Sequence, residues 1–574
     1  MSTGPGVSGA MALAAALLVQ SGCSRTGPHT AQSPGPAASD CSPLEIEKSQ
    51  DLPQVSSATL GSHLRYLADD ALEGRGTGTR GFDLAAGYVA DCFRRLGLKP
   101  AGTDGYLQPV PLRRARTTGA TFVLHGPGGR RELVFERDFV AFANMLQPEV
   151  EVTAPLVLAG FGVTAPERGY DDYRTVDARG KIVMFLSGGP PSFPPTERAY
   201  HATRRTKYEN AVRHGAVGVL SVRPRSQNVS WEAIVRGERS GDMAWLDPAG
   251  RSSETYPELK AMGRVSDSTA MRLLEGAPRS YDEVLTAAET ETPLAFDLPS
   301  RATIRTITAH DRLESPNVAG LLPGSDPKLR DQVILYSAHL DHLGIGEPVK
   351  GDSIYNGALD NASGSAALLE VARAFARLPT APRRSIVFLA ATAEEMGLLG
   401  SDYFAEYPTM PRQRIVANLN MDGLAVLYPT RELIPMGAEH SSLEPIVKRS
   451  AERVGIGLGA DPFPEEVFFV RSDQYSFVKR GVPSLFLFMG LRSDTGVDAA
   501  KLFQEYGATR YHLPQDDLSQ SFDLESGARH AQMNFLVGLE TANADQAPAW
   551  NPGDFFGRVF GRDRKAASAA DEAR

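Results

Sequence analysis

The chain of 574 residues lacks any tract of lysines and arginines, and its formal net charge is -9. Binding to nucleic acid phosphates needs clustered positive charge, so we expect no nucleic acid partner. The chain also lacks a Gly-x-Ser-x-Gly motif, which disfavours a serine hydrolase built on a nucleophile elbow. No run reaches the roughly 18 apolar residues of a membrane helix. A hydrophobic content of 42% and a charged content of 22% are typical of a folded globular protein, and the length predicts two or more domains.

The first 23 residues have the features of an export signal. An uncharged apolar run of signal-peptide length extends from Ala10 to Val19. It is followed by Gln20-Ser21-Gly22-Cys23, which resembles the lipobox of bacterial lipoproteins, although Gln20 replaces the usual aliphatic residue and no Lys or Arg precedes Ala10. The resemblance implies a signal peptide over residues 1–23, a lipid on Cys23 and an exported protein whose only membrane attachment is this anchor. Export without lipidation and a cytosolic protein are the alternatives.

Cysteine is scarce, with three residues in the chain. If Cys23 carries a lipid, Cys41 and Cys92 remain. In an oxidising compartment these two could form a disulfide, and two free thiols are the alternative. Residues 24–43 are rich in Ser, Pro, Ala and Gly, a composition that predicts a flexible linker.

The pattern along the chain divides the remainder into four segments. Residues 44–148 predict a helix over 57–67, with Ser57 as its N-cap, and a second helix over 82–96. Residues 149–300 hold short β-rich runs broken by Gly and Pro, which predict an inserted β-rich unit. Residues 301–545 alternate apolar strands with helices, and residues 546–574 form a tail. Such alternation predicts an α/β fold with a mostly parallel central sheet and helices on both faces, where ligands bind at the carboxyl ends of the strands.

Candidate metal-binding side chains lie at the end of one predicted strand and in a loop that follows it. His339 and Asp341 end the strand on the same side of it, an arrangement typical of a metal ligand with a carboxylate that orients its imidazole. His342 is predicted to point away. Asp360 follows in a turn-rich loop before a helix. Each feature alone also fits a structural role, a core histidine in one case and a charge at a helix N-terminus in the other.

Further donors follow two later strands and a distant loop. Glu394 and Glu395 come directly after a buried strand, Asp422 follows the next, and His512 lies in a polar loop far downstream. Two histidines and three carboxylates suit a pair of divalent ions, zinc first, with one carboxylate shared. Two such ions about 3.5–4 Å apart can activate a water and polarise a carbonyl.

These segments, in this order, resemble the family of di-zinc exopeptidases that includes aminopeptidase Y and glutamate carboxypeptidase II. The resemblance extends from about Leu64 to Leu539 and takes in the run from Leu72 to Gly78. It implies a zinc exopeptidase-like fold, two zinc ions and a peptide or protein substrate. The β-rich insert resembles a protease-associated domain in Gly160-Phe161-Gly162-Val163 and Tyr208-Glu209-Asn210.

The resemblance also implies a role for each candidate residue. His339 and Asp422 correspond to ligands of one metal, Glu395 and His512 to ligands of the other, and Asp360 to the bridging ligand. Glu394 corresponds to the catalytic base, Asp341 to the residue that orients His339, and Tyr511 to a tyrosine that stabilises the oxyanion. Arg471 is a candidate for binding the substrate. For Tyr511 and Arg471, loop packing and a solvated surface are the alternatives.

The expected activity is that of an aminopeptidase. Three alternatives stay open within the same resemblance: a carboxypeptidase or dipeptidase of the glutamate carboxypeptidase type, a glutaminyl cyclase with one zinc, and a non-catalytic receptor. The complete set of five ligands disfavours the last two.

Overall fold

The computed structural model describes residues 51–225, 229–290, 294–464, 466–493 and 495–561. The predicted signal peptide, Cys23, Cys41 and the linker over 24–43 lie outside the described residues. Cys92 is buried and disulfide-bonded. Within the described part of the chain, no helix has both the length and the apolar character needed to cross a membrane.

Two helices open the described chain and cover one face of the large, mostly parallel central sheet. The predicted helix over 57–67 is confirmed, but its N-cap is Ser56, whose backbone is extended and whose Oγ accepts the N–H of Thr59 at 3.2 Å. The second helix buries Phe82, Val89 and Phe93 along one side. The first elements are α1 (Ser57–Leu67), α2 (Arg80–Arg95), β1 (Lys99–Pro100) and β2 (Leu107–Gly126).

A β-rich unit follows, in which strands alternate with short helices. Its sheet runs in the order β12-β5-β8-β9-β11-β4. Its elements are β3 (Gly129–Leu133), β4 (Phe139–Ala141), β5 (Glu149–Ala159), β6 (Thr164–Ala165), β7 (Tyr170–Asp171), β8 (Ile182–Leu186), α3 (Pro195–Ala202), α4 (Arg204–Arg213), β9 (Gly218–Val222), α5 (Trp231–Arg239), β10 (Asp242–Trp245), β11 (Ala261–Val265), α6 (Asp267–Leu273), α7 (Tyr281–Glu289) and β12 (Ala295–Leu322).

The boundaries of this unit differ from the predicted 149–300. Phe122, Leu133 and Phe139 belong to its hydrophobic core, and β4 pairs with β11 inside its sheet. At the other end, the 28-residue strand β12 passes position 300 without a break. Its first half pairs with β5 and its last residues pair with β16 of the central sheet. One long strand therefore joins the two units, and no composition change marks the junction.

The remaining chain forms the central sheet and the helices that cover it. The strand order is β19-β18-β20-β17-β13-β16-β12. The elements are β13 (Val333–His339), β14 (Gly344–Val349), β15 (Asp352–Tyr355), α8 (Gly364–Ala376), β16 (Ser385–Ala391), α9 (Leu399–Glu406), β17 (Ile415–Asn420), β18 (Glu432–Met436), α10 (Glu444–Val454), β19 (Gly457–Leu458), α11 (Gln474–Val478), β20 (Ser484–Met489), α12 (Ala499–Thr509) and α13 (Leu524–Asn543).

The sheet is mostly parallel, as the sequence predicts. Strands β16, β13, β17 and β20 are parallel neighbours. At the two sides of this group, β12 pairs with β16 and β18 pairs with β20, both in the antiparallel sense. Ile334 and Tyr336 pack with α8 and α13, whereas Val333 and Leu335 pack with α9 and α11 on the other face. Alternate side chains of a strand point to opposite faces, so helices cover both faces. The carboxyl ends of β13, β16 and β17 therefore meet at one edge.

Candidate metal centre

The five predicted metal ligands converge at that edge. His339 is the last residue of β13, Glu395 lies four residues beyond the end of β16, and Asp422 lies two residues beyond β17. Asp360 comes from the loop that leads into α8, and His512 from the loop after α12. Adjacent parallel strands end together, which brings donors from distant parts of the chain to one place.

The donors form two groups that share Asp360. One oxygen of Asp360 lies 3.2 Å from Nε2 of His339, and its other oxygen lies 3.1 Å from Nε2 of His512. On the first side, Asp422 approaches His339 at 3.3 Å. On the second, Glu395 approaches His512 at 3.2 Å. Two ligands of one tetrahedral zinc, with bonds of about 2.0–2.2 Å, are separated by about 3.3 Å. The separations of the donors therefore fit ligands of zinc.

The electrostatics of the cluster favour cation binding. Burial raises the pKa of Asp360, but hydrogen bonds from His339 and His512 hold it well below its usual range. Burial lowers the pKa of His512, and the charges of Glu395 and Asp360 outweigh this and raise it to about 9. A metal must bind neutral imidazole, so metal binding will release protons from this site.

Glu394 lies at the same edge and lines the adjoining cavity. It forms a donor group with His339 and Asp422. Burial, together with the charges of Glu395 and Asp422, raises its pKa well above the usual value for a glutamic acid. Its carboxylate lies beside the donor cluster and in the cavity, the placement that a general base needs.

Asp341 is fully buried beneath this edge, and its contacts differ from the prediction. Nδ1 of His339 lies 3.1 Å from the backbone oxygen of Asp341, whereas the carboxylate is 4.0 Å away. The carboxylate instead accepts the backbone N–H groups of Glu394 at 3.1 Å and Glu395 at 3.3 Å. The carbonyl of Asp341 therefore orients His339, and its carboxylate holds the turn that carries the predicted base.

The prediction that His342 points away from the site was wrong. The strand ends at His339, so the alternation of side chains does not extend to position 342. Nδ1 of His342 lies 2.6 Å from Oε1 of Glu395, whose other oxygen faces His512. His342 is buried and fixes the orientation of a predicted metal ligand, a role typical of groups just behind a metal site.

Asp516 supports Asp360, the predicted bridging ligand, from behind, and the sequence did not predict this role. Its buried carboxylate accepts the backbone N–H groups of Leu359 at 3.0 Å and Asp360 at 3.0 Å. Gln520 donates to it at 2.6 Å and the Tyr506 hydroxyl at 3.2 Å. Its position four residues after His512 in an acidic run was the one available signal.

Arg75, from the Gly- and Thr-rich loop before α2, links that loop to the metal site. Its guanidinium is 1% exposed. It donates to the carbonyl oxygens of Leu340 at 2.8 Å, Asn356 at 2.6 Å and Gly357 at 3.0 Å. Burial lowers its pKa to about 10, and the charges of Asp341 and Asp516 oppose the shift. One side chain thereby fixes both the chain after β13 and the loop that precedes Asp360.

Tyr511 and Arg471 both line a cavity of about 770 Å³ that opens beside Glu394, Glu395 and His512. The Tyr511 ring stacks on His512, with 3.9 Å between ring centroids. Arg471 lies over the Phe468 ring and donates to Glu466 at 3.2 Å. Both side chains therefore reach the region where a substrate would lie.

Comparison with known proteins identifies the region that carries these residues. Residues 317–537 match the model of peptidase family M28. Aminopeptidase NAALADL1 of Mus musculus is 27% identical over 368 residues, which make up 55% of this chain and 45% of that protein. Leupeptin-inactivating enzyme 1 of Streptomyces exfoliatus is 31% identical over 209 residues, or 35% of this chain and 43% of that protein. The chain thus spans less than half the length of these two relatives.

Among solved structures, an aminopeptidase from Aneurinibacillus sp. strain AM-1 aligns over 87% of this chain and 95% of that one. The identity is 18% and the TM-score 0.49.

Proposed function

We propose that this chain, whose residues 317–537 match the model of peptidase family M28, is an aminopeptidase that holds two zinc ions and removes N-terminal residues from peptides. The observation that carries the proposal is the division of five donors into two groups with Asp360 common to both. His339 and Asp422 would hold one ion, and Glu395 and His512 the other. This donor set fits borderline-hard divalent ions, and zinc leads because two of the five ligands are imidazoles.

Zinc would supply a water of lowered pKa and a Lewis acid for the scissile carbonyl. The chain's own residues then carry the proton. Glu394 takes a proton from the attacking water onto its carboxylate and gives it to the amine nitrogen that leaves. Because the Asp341 carboxylate holds the backbone of Glu394, the carboxylate of Glu394 stays at a fixed position relative to the reacting atoms. Tyr511, which lines the same cavity, donates its hydroxyl to the oxyanion as the carbonyl becomes tetrahedral.

The choice between the two ends of a peptide depends on the charges of the cavity. A carboxypeptidase needs a cation free to bind the substrate carboxylate, yet the basic residues of the cavity have acidic partners. Arg471 pairs with Glu466, and Arg480 pairs with Glu406 at 2.7 Å. These pairs support the aminopeptidase activity over the carboxypeptidase alternative, as does the name of the mouse relative.

The proposal is tested by assaying the purified protein on aminoacyl substrates with a free amine and on the same substrates with the amine blocked. We expect cleavage of the free-amine substrates alone, loss of activity with a chelator, and about two zinc ions per chain. Glu394→Gln should lower kcat by about 100- to 10,000-fold while zinc stays bound. Glu505→Gln, on the exposed side of α12, is the matched control.

Other outcomes assign the alternatives. Cleavage only at a free carboxyl end would assign the carboxypeptidase activity, and one zinc per chain with cyclisation of N-terminal glutamine would assign the cyclase. Metal binding without turnover of any substrate would leave a receptor. Activity that survives complete chelation would contradict every metal-dependent reading.

We further propose that the protein is exported and anchored by a lipid on Cys23, with no nucleic acid partner, and that its β-rich unit is a protease-associated domain. The apolar run before Cys23 and the disulfide at Cys92 support export, since disulfides persist in oxidising compartments. Labelling with a fatty acid analogue and membrane fractionation test the anchor. Cys23→Ala should abolish the label and release the protein, and an unlabelled wild type would overturn the lipidation.

A further inference from the structure

The chain beyond the family match folds back onto the catalytic body. We call residues 549–561 the C-terminal strap. Its start pairs with the segment before α10: Ser442 donates its N–H to the oxygen of Ala549 at 2.9 Å, and Ser441 forms an antiparallel bridge with Trp550. The indole of Trp550 donates to the oxygen of Gly481 at 2.9 Å. The strap is thus fixed by main-chain and side-chain bonds along its first residues.

A helix over residues 555–561 ends the strap and carries three phenylalanines. Phe556 is fully buried among His440, Phe469 and Trp550. Its role is to anchor the helix to the body. Contacts of this kind between aromatic rings add to the free energy of simple area burial.

The other two rings contact the β-rich unit. Phe555 packs edge-on against Tyr200 of α3, with centroids 5.5 Å apart. Phe560 contacts the same Tyr200 at 5.8 Å and Tyr475 of α11 at 6.5 Å. The strap therefore joins the β-rich unit to the catalytic body through one aromatic cluster.

Three members of this cluster face the active-site cavity. Tyr200, Tyr475 and Phe560 line the same cavity as Glu394, Tyr511 and His512. They come from the β-rich unit, the catalytic body and the strap, respectively. Phe560 contacts both tyrosines, so the three rings form one aromatic surface of the cavity. We call these three residues the aromatic wall.

We propose that the aromatic wall is a specificity site for a large apolar side chain next to the scissile bond, and that Phe560 is its specificity-determining residue. The inference rests on the aminopeptidase activity proposed above. Tyr200 and Tyr475 are held within their own helices, whereas Phe560 reaches the cavity only because Phe556 and Trp550 fix the strap. Filling an apolar pocket discriminates side chains by size, through area removed from water.

The test compares leucyl and phenylalanyl substrates with an alanyl substrate. Phe560→Ala should lower kcat/KM for the large side chains at least about 10-fold more than for alanine, mainly through a higher KM. Phe560→Leu keeps apolar bulk and should restore most of the preference. Arg558→Ala, exposed on the same helix, is the matched control and should keep the wild-type ratio.

A second variant separates specificity from folding. Phe556→Ala removes the buried anchor, so it should lower the melting temperature and reduce the same preference by loosening Phe560. If Phe560→Ala is folded and lowers kcat/KM equally for all substrates, or not at all, the inference is overturned. If the wild type cleaves no aminoacyl substrate, the proposed function fails instead, and the two failures are thereby distinguished.

Discussion

Replacing Asp516 with asparagine should weaken zinc binding although Asp516 is not itself a predicted ligand. Both carboxylate oxygens act only as acceptors, for the N–H groups of Leu359 and Asp360, the amide of Gln520 and the hydroxyl of Tyr506. An asparagine places an NH2 group where one of these oxygens was, so it faces donors. At least one buried donor then loses its acceptor: Gln520 if Oδ1 is replaced, or Asp360 if Oδ2 is replaced. The N–H of Leu359 keeps an acceptor either way, because it bonds to both oxygens.

The magnitude follows from the kind of bond that is lost. Hydrogen bonds to a charged group contribute about 1.5–3 kcal/mol each, so the loss of one or two of them removes about 1.5–6 kcal/mol of local stabilisation. Groups behind metal ligands typically alter metal affinity by about 10- to 100-fold, or about 1.4–2.7 kcal/mol. Because Asp360 is common to both donor groups, we expect both zinc ions to bind more weakly in Asp516→Asn.

Competition with a coloured chelator measures the zinc affinity, and urea unfolding measures the stability. Asp517→Asn is the matched control, since the side chain of this neighbour accepts the N–H and hydroxyl of the exposed Ser519. If Asp516→Asn binds zinc within about twofold of the control, the positioning role assigned to Asp516 is refuted.

Two further predictions concern the loop before α2 and the C-terminal strap. Arg75→Met removes the donor from the buried carbonyls of Leu340 and Asn356. It should lower the free energy of unfolding by about 4 kcal/mol or more, and a loss below about 1 kcal/mol in urea would contradict this. At the strap, burial lowers the pKa of His440, but its 2.6 Å hydrogen bond to Asp554 and the charge of Glu439 raise it above its usual value. The pair therefore stabilises the fold fully below about pH 6.5 and loses this contribution as the pH rises through the raised pKa, so the melting-temperature gap to Asp554→Asn should narrow as the pH rises above about 6.5.

The positions of the candidate metal ligands could be predicted from the sequence because each strand has a local sequence pattern. The buried runs ending at His339 and before Glu395 and Asp422 are continuous and apolar, as in strands covered on both faces. Neighbouring parallel strands end at one edge, so the donors that follow them share a site. The helix over 57–67 and the strand over 385–391 were likewise predictable from short-range periodicity.

The residues behind the ligands could not be predicted in the same way. Arg75 bonds to carbonyls 265 and 282 positions away, and nothing local distinguishes it from a surface arginine in a glycine-rich loop. His342 was misassigned because strand alternation was extended beyond the last residue of β13. Such contacts depend on where loops meet after folding, which is a property of tertiary structure rather than of residue type.

The boundary of the β-rich unit had a different obstacle. Composition changes near residue 149, but the physical junction lies within β2 and β12, strands long enough to serve both units. Residues of β2 from Phe122 onward belong to the core of the β-rich unit, while Leu112 lies in a separate cluster beside α9. A strand that changes partners along its length gives no signal at the point of change.

The site therefore has two halves built on different principles. The metal edge is assembled from the ends of adjacent strands and backed by buried charges, so displacement of one donor affects both donor groups through Asp360. The aromatic wall is assembled from three separate parts of the chain that touch mainly through rings. A change in the wall alters the fit of a side chain by the area it removes, but it leaves the donor distances at the metal edge intact. Substrate preference can thus change by substitution at Phe560 or Tyr200 while the water-activating residues remain in place.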